Sequence, residues 1–292
     1  MLFHLAALIA VMFQTLVVPG IPVLPAPYLI PAVPVSDMPT QDATSVFLID
    51  TKSGIIVGAR HADNKRPIAS ITKLMTALVV LERNPDWNRH IIVDQKDQRK
   101  GDIARIFQGE EITIGDAWNL MLVASSNDAA ALLSRAMFGS EESFVEAMNK
   151  KARAIGLHRT HFKDPTGLHP GNTSTAREVA ILARLALSFP EIRDTVSQKQ
   201  VVFSPKGKSR RVAYSTNQLL RWFSLPGVQL FGGKTGHIQE SGYNLVLAAG
   251  GQGQEFVGVI LGSGSNNGRF EEMATLLKWG FNTTQRSQSQ GD

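Results

Sequence analysis

Strand-like runs stand at both ends of the folded part of this chain, and helical runs fill the stretch between them. Near the start, Val46-Phe47-Leu48-Ile49, a polar turn from Asp50 to Gly54, and Ile55-Ile56-Val57 read as a β-hairpin. Near the end, Tyr243 to Ala249 and Phe256 to Leu261 are strand-like and are separated by Gly250-Gly251-Gln252-Gly253. The economical arrangement is one antiparallel sheet shared by the early hairpin and the late strands, with a helical lobe inserted between them. The expected fold class is therefore mixed α/β (α+β).

The middle of the chain carries helix signals. Pro67 is expected to open a helix, where its missing N–H costs nothing, and Leu74, Ala77, Leu78 and Leu81 give that helix a buried stripe. Thr113 to Asp116 resembles a capping box, followed by an apolar face of Trp118, Met121 and Leu122. Ser125 to Asp128 breaks the pattern, and Asn127 or Asp128 is expected to cap the next helix, which stops at Gly139. Further helices are expected from Ser140 to Gly156, from Thr175 to just before Pro190, and from Phe270 to Phe281.

With 292 residues, 43% hydrophobic and 19% charged, the chain can bury a large core and is not of disordered composition. Its net charge of +5 favours anionic surroundings only loosely, and the basic residues are scattered. The densest group, Lys206, Lys208, Arg210 and Arg211, reads as a solvated loop, and no nucleic-acid partner is expected. The absence of cysteine excludes thiol catalysis, disulfides and cysteine-ligated metal. Leu2 to Val18 is almost wholly apolar, no Lys or Arg precedes Lys52, and a Pro-rich stretch from Pro19 to Pro39 follows. Residues 1–43 are therefore expected to be an export signal or membrane anchor with an extended spacer, 44–283 the catalytic domain and 284–292 a polar tail. The expected location is outside the cytoplasm, in a periplasm or on the outer face of the cytoplasmic membrane. Attachment, if any, would run through the amino-terminal apolar segment.

Three short motifs carry the chemistry. They are Ser70-Ile71-Thr72-Lys73, Ser125-Ser126-Asn127 and Lys234-Thr235-Gly236, in that order. Each alone is weak: S-x-N recurs at Ser215-Thr216-Asn217 and Ser265-Asn266-Asn267, and Lys52-Ser53-Gly54 mimics the third inside a turn. S-x-x-K occurs only at Ser70. Ser70 and Lys73, one helical turn apart, share a face. A serine hydroxyl needs a base to take its proton, and Lys73 can serve only when neutral. With a reference pKa near 10.4, neutralising it at pH 7 costs about 4.6 kcal/mol. Burial and a second cation, for which Lys234 is the candidate, lower that cost. The Ser70 N–H, near a helix start, can point at a developing oxyanion. Ser125 offers a hydroxyl that can relay a proton, and Asn127 an amide that both donates and accepts. Gly232, Gly233 and Gly236 allow close backbone approach beside the strand carrying Lys234.

Two rival readings are weaker. A phosphate-binding loop ending at Lys234 would need glycine at 228, where Val228 stands, and a helix afterwards, where Tyr243 to Leu247 looks like strand. His158, His161, Asp164 and His169 cluster in sequence, but such spacing is common in polar loops. Neither a metal nor a cofactor is expected.

The ordered set S-x-x-K, S-x-N, K-T-G is that of penicillin-binding proteins and serine β-lactamases. From Thr44 to Phe281 the chain resembles the D-alanyl-D-alanine carboxypeptidase family of low-molecular-mass penicillin-binding proteins, peptidase family S11. The resemblance rests on Arg66 to Ala77, Ala124 to Ala130 and Gly233 to His237, and extends to Asp164-Pro165-Thr166-Gly167-Leu168, Ser174 to Glu178 and Leu276 to Phe281. It implies a serine β-lactamase/transpeptidase-like fold and a hydrolase that removes the terminal D-alanine from peptidoglycan stem peptides. In that mechanism Ser70 attacks, Lys73 takes its proton, and the N–H groups of Ser70 and His237 hold the oxyanion. Ser125 protonates the leaving amine and Asn127 fixes the acyl-side amide. Lys234 and Thr235, in a strand continued by Gly236, bind the substrate carboxylate, with Arg269 a further candidate. β-Lactams would acylate Ser70. The chain departs from many relatives in ending soon after the final helix. Three alternatives stay open: an endopeptidase cutting D-alanyl cross-links, a serine β-lactamase (although no carboxylate dedicated to water activation is evident), and a non-catalytic wall-binding module.

Overall fold

The computed structural model describes residues 38, 39, 42–102, 104 and 106–289, with side chains described as far as residue 283. The apolar run from Leu2 to Val18 and nearly all of the Pro-rich spacer lie outside the described residues, so the expected signal or anchor does too. Among the described residues no helix is long and apolar enough to cross a membrane.

The chain begins with β1 (Ser45–Asp50) and β2 (Ile56–Arg60), the expected hairpin, then a two-residue strand β3 (Arg66–Pro67). A 3-10 turn over Ala69–Thr72 leads into α1 (Lys73–Leu81). After β4 (His90–Ile92) and β5 (Glu111–Thr113) come α2 (Ile114–Val123), α3 (Asn127–Phe138) and α4 (Glu141–Ala154). Next are β6 (Thr173–Ser174), α5 (Ala176–Leu187), α6 (Pro190–Val196), β7 (Gln200–Phe203), β8 (Arg211–Tyr214) and the short α7 (Leu219–Trp222). The chain closes with β9 (Val228–Ile238), β10 (Gly242–Gly251), β11 (Gln254–Ser263) and α8 (Gly268–Ser289).

The main sheet is antiparallel, in the order β2-β1-β11-β10-β9. The early hairpin therefore joins the late strands through β1 and β11, with Phe47 opposite Val259. Both faces are covered, which is why β1 is buried at every position. Phe47, Val246, Ala248, Val257 and Val259 point into the larger core with α1, α2, α3 and α5. Val46, Leu48, Leu245, Leu247 and Ile260, the alternate positions, face α8 through Phe270, Met273, Leu276, Leu277 and Phe281. The β10–β11 turn has positive φ at both Gln252 (53°) and Gly253 (82°), the backbone that a two-residue hairpin loop requires.

Three expectations need correcting. Pro67 does not open a helix. It pairs with Thr173 in a two-stranded ribbon, where a missing N–H is tolerated at an edge, and helical structure begins only after Ala69, whose φ is +49°. The cap of α3 is Ser126, whose hydroxyl accepts from Ala129 N at 3.2 Å, and not Asn127 or Asp128. The last helix does not close at Phe281. Its backbone continues to Ser289, because the polar run that follows holds no Pro or Gly to stop it. The β7–β8 hairpin and α6, which starts with Pro190 in its first turn, were not anticipated.

Candidate active site

Three segments meet where the helical lobe abuts β9: the 3-10 turn carrying Ser70, the α2–α3 connection carrying Ser125, and the middle of β9. Two glycines make the approach possible. A Cβ on Gly167, whose φ is +88°, would lie 2.1 Å from Ala69 O and 2.7 Å from Ser70 N. A Cβ on Gly236 would lie 2.7 Å from Ile68 O and 3.1 Å from Ser70 N. Backbone from both sides is thus pressed against the Ser70 turn, as only glycine permits.

Lys73 is fully buried, and its Nζ faces three oxygens: Ser70 Oγ at 2.9 Å, Asn127 Oδ1 at 2.6 Å and the Thr166 carbonyl at 2.7 Å. An ammonium would donate to all three. A neutral amine donates two protons and holds one lone pair, so it can keep Asn127 and Thr166 and accept the Ser70 proton. Burial pushes the Lys73 pKa down to about 7, against the opposing pull of Asp102 and Asp164. At neutral pH the base form is then available at little cost, in place of the roughly 4.6 kcal/mol of a solvated lysine. Among the described residues no carboxylate hydrogen-bonds Ser70 Oγ or Lys73 Nζ.

Lys234 is also buried, and its Nζ donates to Ser125 Oγ at 2.7 Å and to Thr235 O at 3.1 Å. Burial first, then the charges of Lys73 and Arg269, hold its pKa well below the ordinary lysine value. The expected help of Lys234 in neutralising Lys73 therefore falls on Lys234 itself, and burial does the work at Lys73. Ser125 sits at φ +63°, an uncommon backbone for a non-glycine residue, which turns its hydroxyl to Lys234. The turn is anchored beneath by Asp102, which accepts from Ser126 Oγ at 2.8 Å and Asp128 N at 2.7 Å.

Of the residues singled out in the sequence, Ser70, Lys73 and Asn127 thus form one hydrogen-bonded group and Ser125 and Lys234 a second. Thr235 Oγ1 meets Thr216 Oγ1 at 2.6 Å. The exposed His237 ring stacks on Tyr243 at 4.0 Å. Arg269 lies against Gly236, beside Lys234 and Thr235. Its guanidinium is buried and donates to Gly236 O, Asn244 O and Asn266 Oδ1, so it braces β9 against β10.

Three contributors escaped the sequence reading. Thr166 acts through its carbonyl, which no side-chain pattern reveals. Thr216 stands inside a second S-x-N string that reads as a coincidence. Asp102 lies in a loop without a motif. Asp164 accepts from the N–H groups of Thr166, Gly167 and His169 and so shapes the loop that delivers the Thr166 carbonyl. Among the described residues no group of three or more His, Cys, Asp or Glu is placed to hold a metal. After Lys234 the chain continues as strand into β10, not as the helix a phosphate loop needs.

Known proteins resemble this chain in sequence and fold. The sequence profile described as D-alanyl-D-alanine carboxypeptidase matches residues 33–265. The chain is 32% identical over 258 residues to D-alanyl-D-alanine carboxypeptidase DacC of Escherichia coli (strain K12), covering 84% of this chain and 62% of that protein. It is 35% identical over 210 residues to a D-alanyl-D-alanine endopeptidase of Haemophilus influenzae, covering 70% of each. The solved Streptomyces K15 DD-transpeptidase superposes with a TM-score of 0.77 at 27% identity, covering 84% of this chain and 98% of the other. The chain thus spans under two thirds of the carboxypeptidase's length but nearly the whole transpeptidase. With the family profile covering most of its length, this chain belongs to the D-alanyl-D-alanine carboxypeptidase family, peptidase S11.

Proposed function

We propose that the chain is a serine DD-peptidase that acts on peptidoglycan stem peptides through an acyl-enzyme on Ser70. The observation that carries the reading is the buried Lys73 amine 2.9 Å from Ser70 Oγ, with Lys234 and Ser125 paired at 2.7 Å on the other side of the cleft. Neutral Lys73 takes the Ser70 proton as Oγ attacks the carbonyl between the two terminal D-alanines. The N–H groups of Ser70 and His237 are assigned to the oxyanion. Asn127, whose Oδ1 is held by Lys73, offers its NH2 to the acyl-side amide. Ser125 hands a proton to the leaving amine. Lys234 and the Thr235–Thr216 hydroxyl pair receive the substrate carboxylate, whose negative charge favours the protonated form of Lys234 against the opposing effect of burial. Water then releases the acyl group. β-Lactams are expected to acylate Ser70 in the same manner.

We assign residues 44–283 to the catalytic unit. The apolar amino-terminal run supports export to a periplasm or the outer face of the cytoplasmic membrane, with attachment through that run as the finer reading. Removal of the terminal D-alanine is the leading activity. Cleavage of D-alanyl cross-links uses the same bond chemistry and is the activity named for the Haemophilus influenzae relative. The test is release of D-alanine from a synthetic stem peptide, blocked by an equimolar amount of penicillin. Failure to release D-alanine, together with rapid nitrocefin turnover, would replace this reading with a β-lactamase.

A further inference from the structure

A groove runs along the β7–β8 hairpin beside the end of α2. Its inner part, about 310 Å³, begins at Ala124, immediately before Ser125, and has Phe203 and Ala213 at its base with Arg211 and Val212 at its rim. Its outer part, about 510 Å³, is bounded by Lys199, Gln200, Tyr214 and Arg221. Tyr214 lines both parts and joins them. The chain that continues from β8 enters the cleft: Thr216 N donates to Val123 O at 3.2 Å, and the Thr216 hydroxyl meets Thr235. The groove therefore lies next to the site along the chain: Ala124 precedes Ser125, and Tyr214 stands two residues before Thr216, whose hydroxyl meets Thr235.

The lining has two unusual properties. The water-facing positions of a surface hairpin are ordinarily polar, yet here Val212 and Tyr214 occupy two of them, at 48% and 60% exposed. The residues bounding the groove also include three cations, Lys199, Arg211 and Arg221, and no carboxylate. Arg211 is ion-paired with Glu110. Neither Lys199 nor Arg221 is in an ion pair among the described residues, and the Arg221 guanidinium lies 5.7 Å from the centre of the Tyr214 ring. Apolar surface flanked by uncompensated positive charge suits an aliphatic chain that carries carboxylates.

We propose that this groove binds the anionic peptide branch attached to the leaving amine, the acceptor strand of a D-alanyl cross-link, and so lets the enzyme accept cross-linked stem peptides in addition to those ending in free D-alanine. The proposal rests on the DD-peptidase reading. A substrate ending in free D-alanine stops at Lys234 and Thr235 and leaves the groove empty. In a cross-linked substrate the leaving amine belongs to a second peptide, whose methylenes lie along Val212 and Tyr214 and whose carboxylates meet Lys199 and Arg221. The chemistry is the same for both. The Ser70 Oγ–carbon bond forms, the carbon–nitrogen bond breaks, and the Ser70 proton reaches the leaving amine through Lys73 and Ser125. Water then hydrolyses the ester.

The test uses the full chain with Tyr214→Ala, and separately the Lys199→Glu, Arg221→Glu double variant. Three readouts are taken: cleavage of a cross-linked dimer, D-alanine release from the monomeric peptide, and labelling by fluorescent penicillin. The expected result is a loss of about tenfold or more in kcat/KM on the dimer, the scale of one important interface side chain, with the other two readouts within about twofold. Unchanged labelling also certifies that the variants fold. Equal losses on dimer and monomer, no loss on either, or an unaltered chain that releases D-alanine but leaves the dimer intact would each overturn the groove assignment. Absence of penicillin labelling in the unaltered chain would overturn the DD-peptidase reading, and the groove assignment with it.

Discussion

The cleft and the β7–β8 groove both present cations, yet they put them to opposite uses. Lys73 and Lys234 are almost completely inaccessible, at 0% and 1% exposure. Lys199 and Arg221 stand in solvent. Removal from water disfavours the charged form, so both cleft lysines hold their protons less tightly than a solvated lysine, as the base role proposed for Lys73 requires. The groove cations remain plain charges, screened by salt and suited to attraction over distance. Burial, not residue type, decides which lysine is chemistry and which is steering. The two regions should therefore respond differently to substitution and to pH.

The largest effect is expected at the nucleophile. Ser70→Ala should lower D-alanine release roughly 10⁴-fold or more, measured by single-turnover assay. Lys73→Met removes the base but keeps an unbranched chain of similar length. Acylation by penicillin should slow by about 10²–10⁴-fold while the Tm stays level or rises, because a buried amine is replaced by an apolar group. A fall in Tm as well would show that the hydrogen bonds Lys73 donates to Asn127 and Thr166 outweigh the cost of burying its amine. Gly167→Ala forces a Cβ into Ala69 O at a φ of +88°, so stability should fall by about 1–3 kcal/mol and acylation with it, read by thermal melts and stopped flow.

Smaller effects sharpen the contrast. Lys73 is active when neutral, so acylation should rise with pH through a midpoint of about 7. The Asp102 carboxylate raises the proton affinity of Lys73, so Asp102→Asn should move that midpoint to lower pH, with at most about a tenfold loss on the plateau from the loosened Ser126 turn. A midpoint that stays in place would leave Asp102 a purely structural anchor. Substrate carboxylate binding needs the protonated Lys234, so KM should increase as pH rises. In the groove, adding salt should weaken cleavage of cross-linked dimer by a few fold and leave penicillin acylation almost unaffected.

Much of this was legible in the sequence, and what was not has identifiable causes. Continuous apolar runs bounded by Gly-containing turns locate β1, β10 and β11, because both faces of the sheet are buried, and period-3.6 patterning locates most helices. The motif order brings Ser70, Lys73, Ser125, Asn127 and Lys234 into consideration together. Pro67 misled because its fixed φ suits an edge strand as well as a first helical turn, and only the distant pairing with Thr173 decides between them. The β7–β8 hairpin was hidden by its short strands and by Lys206 to Arg211, which mark only a loop. Thr166 was illegible as a site residue because it contributes a carbonyl. Arg269 was legible as a cation near the site, but its bonds to the carbonyls of Gly236 and Asn244 depend on the β9–β10 pairing and could not be read from the sequence.

Intact-mass measurement of the purified chain after incubation with benzylpenicillin tests the central account most directly. One equivalent should add to the unaltered protein, map to the peptide containing Ser70, and accumulate faster as pH rises past about 7. No adduct, or an adduct that persists in Ser70→Ala, would contradict the claim that a hydroxyl activated by a neutral, buried amine is the reacting group.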